Sequence, residues 1–121
     1  MLKAEFDKSK NLLHVVLSQR VTVEDTGRWR EQIGQLLPDL RPGFKLLADF
    51  SPMDSMDLDC VPDIDWSMEV LDKAGISQVV RVLPDPSKDI GLNIMSHFHM
   101  RRSVSLVTCE TMEEAIKALA D

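Results

Sequence analysis

Between Ala48 and Cys60 the chain reads ADFSPMDSMDLDC, which places Asp49, Asp54, Asp57 and Asp59 beside Ser51 and Ser55 in a run without helical periodicity. Such a run can hold a divalent cation, accept a phosphate on a serine, or set carboxylates at the mouth of a helix. Calcium fails on spacing. An EF-hand loop counted from Asp57 needs an acidic or amide side chain at its fifth place, glycine at its sixth and glutamate at its twelfth. Those places hold Val61, Pro62 and Met68. A phosphate on Ser55 would sit among Asp54, Asp57 and Asp59, where like charge opposes it. Carboxylates at a helix N-terminus are the reading that the spacing favours.

The remaining reactive side chains are scattered. His97 and His99 form H-x-H, a metal spacing on a strand, but on a helix the two rings stand about 200° apart. His14 falls on a strand with no partner residue indicated. Cys60 and Cys109 belong to no C-x-x-C pair and read as reduced structural thiols. No G-x-S-x-G, G-x-G-x-x-G or phosphate-binding loop occurs. The expectation is a protein that is not an enzyme, with no catalytic residue, metal or cofactor. An enzyme using His14, His97 or His99 is the weakest of three readings.

Bulk properties narrow the partners. The 121 residues, 44% hydrophobic and 28% charged, fit one globular domain over 1–121. A net charge of −6 argues against nucleic acid, whose phosphates call for a basic face. Arg101 and Arg102 are the one dense basic spot, at an expected helix end where the dipole favours cations. No apolar run reaches the roughly 20 residues of a membrane span, and the N-terminus lacks a signal-peptide core. A cytoplasmic protein is expected.

The elements that must position these residues follow from periodicity. Leu2, Ala4 and Phe6 alternate with polar residues, DKSKN turns, and Leu12–Gln19 is a second strand. Thr22 with Asp25 caps a helix carrying Trp29, Ile33, Leu36 and Leu40, closed by Pro38 and Pro42. Phe44–Phe50 is a third strand. A second helix runs from about Cys60 to Ala74, with Pro62 in its first turn and Gly75 ending it. Ser77–Leu83 is a fourth strand, Lys88–Met100 a third helix, and Ser103–Thr108 a fifth strand. Thr111 and Glu114 cap a last helix that turns Met112, Ala115, Ile116 and Leu119 inward.

The resulting order, β-β-α-β-α-β-α-β-α, predicts an α/β fold: an N-terminal hairpin, then four consecutive βα units in a mostly parallel five-stranded sheet. One face would carry Leu13, Val15, Leu46, Ala48, Val80 and Val82. The other, with His14, Lys45, Asp49 and Arg81, reads as mixed and partly exposed, so helices are expected mainly on the first.

That order, with LLADFSPMDSMDL and SVSLVTCETMEEAIKAL, resembles the SpoIIAA-like or STAS fold of anti-sigma factor antagonists over nearly the whole chain. Asp49, Phe50 and Ser51 match the family's D-L-S, and Asp54 and Ser55 begin its D-S-S-G-L. In phospho-regulated members the second serine of that motif takes the phosphate. Here Met56 holds its place and Asp57 that of the glycine. The resemblance implies a bacterial, non-catalytic regulatory module that binds an unknown protein partner through a helix surface or sheet edge, with a homodimer left open. The candidate regulatory loop is Asp49, Ser51, Asp54, Ser55, Met56 and Asp57, without the family's phosphoserine.

The alternative is a carrier of a small apolar or lipid-like ligand, as in the CRAL-TRIO-like branch of this fold. For that reading the candidate groove is formed by Met68, Leu92 and Met95, between the second and third helices. On the second helix, Val61, Ile64, Met68 and Leu71 form the expected inward stripe. Trp66 and Val70 project from the opposite face as a candidate interaction surface.

Overall fold

The computed structural model describes residues 1–85 and 104–120. Strands β1 (Leu2–Asp7) and β2 (Leu12–Leu17) form an antiparallel hairpin, and β4 (Lys45–Asp49), β6 (Gln78–Val82) and β7 (Ser105–Cys109) extend it. The sheet order is β1-β2-β4-β6-β7, with every pair after the hairpin parallel. Two short strands, β3 (Gln19–Val21) and β5 (Met53–Met56), pair with each other in a separate parallel ribbon. The expected third helix, Lys88–Met100, lies outside the described residues, and with it Leu92, Met95, His97, His99, Arg101 and Arg102.

The helices begin and end where local chemistry requires. Helix α1 (Val23–Leu36) is capped by Thr22, whose amide and hydroxyl both donate to Asp25 Oδ2, at 2.8 and 3.0 Å. Pro38 then stands in a 3₁₀ turn, Leu37–Asp39. A second 3₁₀ turn, Leu58–Cys60, leads into α2 (Val61–Lys73), with Pro62 in its first turn, where a missing amide costs nothing. Gly75 follows at φ +98, and a Cβ there would meet Pro42 at 3.1 Å, so both backbone and space demand glycine. Helix α3 (Met112–Ala120) starts where the Glu114 amide donates to Thr111 Oγ1. Its C-terminal carbonyls accept bonds from the sheet, Lys45 Nζ to Leu119 at 2.7 Å and Gln78 Nε2 to Ala118 at 3.2 Å. No helix among the described residues is long and apolar enough to cross a membrane.

Helices α1 and α2 cover one face of the sheet, over Leu13, Val15, Leu17, Ala48 and Val79. Helix α3 covers part of the other face, over Leu47, Val80, Val82 and Cys109. The expected faces of β6 are thereby exchanged. Leu46 lies opposite Val79 and Ala48 opposite Arg81, so Val79 and Arg81 turn toward α1 and α2 while Val80 and Val82 turn toward α3. The strand has valine on both sides, so alternation cannot orient it; register with β4 does. The second face is accordingly less polar than expected, with a small core of its own. Ile116, expected inward, is 59% exposed, because α3 buries Ala115 instead.

Candidate functional site

The acidic run is more ordered than a loop. Asp49 ends β4 and accepts both the amide and the hydroxyl of Ser51, at 2.9 and 2.6 Å, which holds the chain in a tight turn. Phe50 is buried, its amide donating to the Val82 carbonyl. The chain then forms β5, which turns Met53 and Met56 inward and Asp54 and Ser55 out. Strand β3 reaches β5 because Gln19, at φ +57, redirects the chain after β2, and its amide donates to Pro52 O. The ribbon ends in a bidentate contact: Arg20 Nε and Nη2 reach Asp57 Oδ1 and Oδ2 at 2.9 and 3.0 Å. This pairing raises the Arg20 pKa, the bond to Asp57 first and its charge second. Asp57 thus serves as a structural clamp, its own amide donating to Val21 O.

Two residues absent from the sequence-based candidates stand beside this clamp. Leu58, directly after Asp57, is 76% exposed, and Val23, the first residue of α1, is also exposed. The 3₁₀ turn that holds Leu58 packs against α1. Further along, Asp63 joins the two helices, accepting from the Thr26 hydroxyl at 2.8 Å and from Arg30 Nη1 at 3.0 Å. The Arg30 guanidinium lies 4.4 Å from the centre of the Trp66 ring. Residues 26 and 30 of α1 therefore meet 63 and 66 of α2 in rising order, so the helices run side by side in one direction. A signal for Leu58 was available: it is a lone leucine between aspartates, ahead of a proline-initiated helix.

Trp66 and Val70, expected outward, are half-buried and pack against the main core, and Arg30 of α1 lies over Trp66 on a side that projection of α2 alone left open. The fully inward residues of α2 are Ile64, Ser67 and Leu71, with Val61 and Met68 half-buried. Met68 lines a mainly apolar cavity of about 70 Å³ together with Leu2, Trp29, Phe50, Met56 and Arg81. Arg81 is buried and its Nη2 donates to Thr108 Oγ1 at 2.9 Å. Of the expected groove, only Met68 is among the described residues.

Burial lifts the Cys60 thiol pKa; a bond from Thr26 works against this, while Asp57, Asp63 and Asp25 add to the rise. Burial and Glu114 likewise raise Cys109. Both thiols stay protonated at neutral pH, the opposite of what activates a cysteine nucleophile. His14 lies on the face of the sheet away from α1 and α2, opposite Glu5 on β1 and Leu47 on β4.

The architecture is shared with solved structures across the whole chain. An uncharacterised protein of the DUF3478 family from Shewanella loihica, with a SpoIIAA-like fold, superimposes with a TM-score of 0.71, covering 98% of this chain and 93% of that one at 15% identity. This chain has the SpoIIAA-like fold. The phosphorylated form of the Bacillus cell fate determinant SpoIIAA matches with a TM-score of 0.67 over 98% of this chain and 99% of that one, at 15% identity. An anti-sigma factor antagonist from Mycobacterium paratuberculosis gives 0.63 over 100% and 96%, at 17% identity. No protein-family model and no curated protein sequence matches the chain.

The SpoIIAA-like frame explains the site's position. Asp54, Ser55, Asp57 and Leu58 all follow the C-terminal end of a parallel strand, β4, where crevices of open α/β sheets form.

Proposed function

We propose that this chain is a non-catalytic regulatory module of the bacterial cytoplasm that works by binding another protein along the seam between α1 and α2. The observation that carries the reading is Leu58: an apolar side chain, 76% exposed, directly after the Arg20–Asp57 clamp and flanked in sequence by Asp57 and Asp59. Exposed leucine on an ordered turn is the kind of anchor that a partner's pocket accepts, and the acidic edge suits a partner with a basic rim. Val23 and the open parts of Trp66 and Val70 continue the surface along the seam. The fold is that of anti-sigma factor antagonists, whose description already names another protein as their target. Met56, buried on β5, supports regulation without the phosphoserine of the phospho-regulated members.

A photo-crosslinking amino acid at position 58, compared with one at position 117 on exposed α3, tests this in the cells of origin. The expected result is one protein adduct at 58 and none at 117. With that protein purified, Leu58→Asp is expected to weaken binding at least tenfold by calorimetry. The melting temperature should move little, since the side chain is exposed. Unchanged affinity of the Leu58→Asp protein would sink the reading.

The alternative, a carrier of a small apolar ligand, has the Met68-lined cavity behind it. Its 70 Å³ is under half the roughly 150 Å³ of an engineered cavity that takes benzene, so a lipid chain exceeds it. Ser67 lines this cavity and spends its hydroxyl on its own helix, donating to Ile64 O at 2.7 Å. Ser67→Val is therefore expected to fill apolar space and raise Tm by about 2–5 °C in calorimetry. A fall in Tm would mean that the added methyl groups overpack the site instead of filling it.

A further inference from the structure

β1 forms one edge of the main sheet: its inner side pairs with β2, and no described strand pairs with its outer side. Which groups face outward follows from one exchange of bonds. The Ser18 amide donates to the Met1 carbonyl at 2.8 Å, and the Met1 nitrogen donates to the Ser18 carbonyl at 2.6 Å. In an antiparallel ladder such pairs alternate with pairs that exchange none. Lys3, opposite Val16, and Glu5, opposite His14, therefore bond inward, while the amides and carbonyls of Leu2, Ala4 and Phe6 point outward. Residues 2–5 open on a groove of about 450 Å³ whose far wall is Arg28, Glu31, Gln32 and Gln35 of α1. The edge has room beside it for another strand.

An open edge is a template for pairing unless its side chains repel the incoming strand. Here they select one. Lys3 and Glu5 are both exposed and share the face away from α1 and α2. An antiparallel second copy can bond only if outward-bonding residues oppose one another, and at least two of them in each copy do so only with the two-fold axis at Lys3, Ala4 or Glu5. At Lys3, lysine meets lysine. At Glu5, glutamate meets glutamate. At Ala4, Lys3 meets the partner's Glu5 and Glu5 meets the partner's Lys3, while Leu2 falls opposite the partner's Phe6. These charged pairs would occupy positions without hydrogen bonds, where opposing side chains lie closest. Ala4, the smallest side chain of the strand, would sit on the axis and exchange both backbone bonds with its copy.

We infer that the chain self-associates through β1 in this register, continuing its five-stranded sheet into that of a second copy. A second copy fits better than an unrelated peptide because residues 2–6, read in reverse, supply the charges and bonding groups that residues 2–6 require. This contact uses a different surface from the α1–α2 seam and leaves Leu58 free for another protein.

Sedimentation velocity on the full chain, from micromolar to near-millimolar concentration, tests the inference. The expected result is a reversible dimer. Lys3→Glu and Glu5→Lys, each alone, create two like-charge pairs across the axis and should raise the dissociation constant about tenfold or more. The two single variants mixed should form a heterodimer, and the double variant Lys3→Glu/Glu5→Lys should regain the wild-type constant. Both positions are exposed, and circular dichroism checks that the fold is kept. A monomer at all concentrations would overturn the inference, as would a dimer unaffected by the single reversals or one not restored by mixing. A dimer lost in Leu58→Asp but kept in the β1 variants would place self-association on the seam instead. Loss of partner capture at position 58 with the β1 dimer intact would count against the seam reading alone.

Discussion

Met56→Ser is expected to destabilise the fold by about 3–5 kcal/mol and still to give no phosphorylated protein. The substitution restores serine at the place where the sequence resembles the family's phosphate acceptor, so sequence alone would suggest a regained switch. The structure argues otherwise. Met56 is 8% exposed on the inward side of β5, against the cavity that Phe50 and Trp29 also line. Truncating a buried methionine costs about 2–5 kcal/mol, and a hydroxyl buried among apolar groups adds to it. Urea unfolding would measure the loss, with Met56→Leu as a control expected to cost under about 1.5 kcal/mol. Intact-mass spectrometry of the protein expressed in its cells of origin would measure the modification. Stoichiometric phosphate on the introduced serine of a folded protein would show that β5 can turn its inner side out.

The same strand shows how much was legible in the sequence. Local signals were read correctly because they are complete within a few residues: the Thr22–Asp25 cap, Pro62 in a first turn, Gly75 past a helix end. So was the order of the main elements among the described residues, which long periodic segments carry. Strands β3 and β5 were not legible. They span three and four residues, too few for any periodicity, and exist because they pair with each other.

The site suffers from the same limit. Arg20 and Asp57 are 37 positions apart, and nothing in either stretch announces the clamp. Trp66 could be placed on a helix but not against Arg30, since α1 reaches it only in three dimensions. Ser67 is polar by type and yet faces the core, its hydroxyl satisfied by the turn below it. Leu58 was legible in principle, and only its exposure turns it from a stray leucine into an anchor.

Asp25→Asn is expected to cost about 2 kcal/mol at neutral pH, with most of that difference disappearing in acid. Asp25 is 6% exposed, and its two oxygens are committed: Oδ2 to the Thr22 amide and hydroxyl, Oδ1 to Arg28 Nη2 at 2.7 Å. The Met1 ammonium lies 3.5 Å from Oδ2. Burial alone would raise the carboxyl pKa, but the Thr22 bonds and the ammonium outweigh it, and the net shift is downward. The folded protein therefore releases this proton more readily than the unfolded chain. Between the two pKa values the unfolded state binds more protons, so stability rises with pH. The contribution is complete above the unfolded value of about 4 and is lost as pH falls through the lower, folded value. Urea midpoints for the wild type and Asp25→Asn should stay apart from neutrality to about pH 5 and converge below about pH 4. A gap that persists undiminished at the lowest pH would mean that the carboxylate's charge is irrelevant and only its shape caps the helix. The consequence for binding is local: Asp25 anchors the first turn of α1, which carries Val23. Asp25→Asn should therefore speed hydrogen exchange in that turn before the sheet is affected, loosening the end of the seam where Leu58 stands.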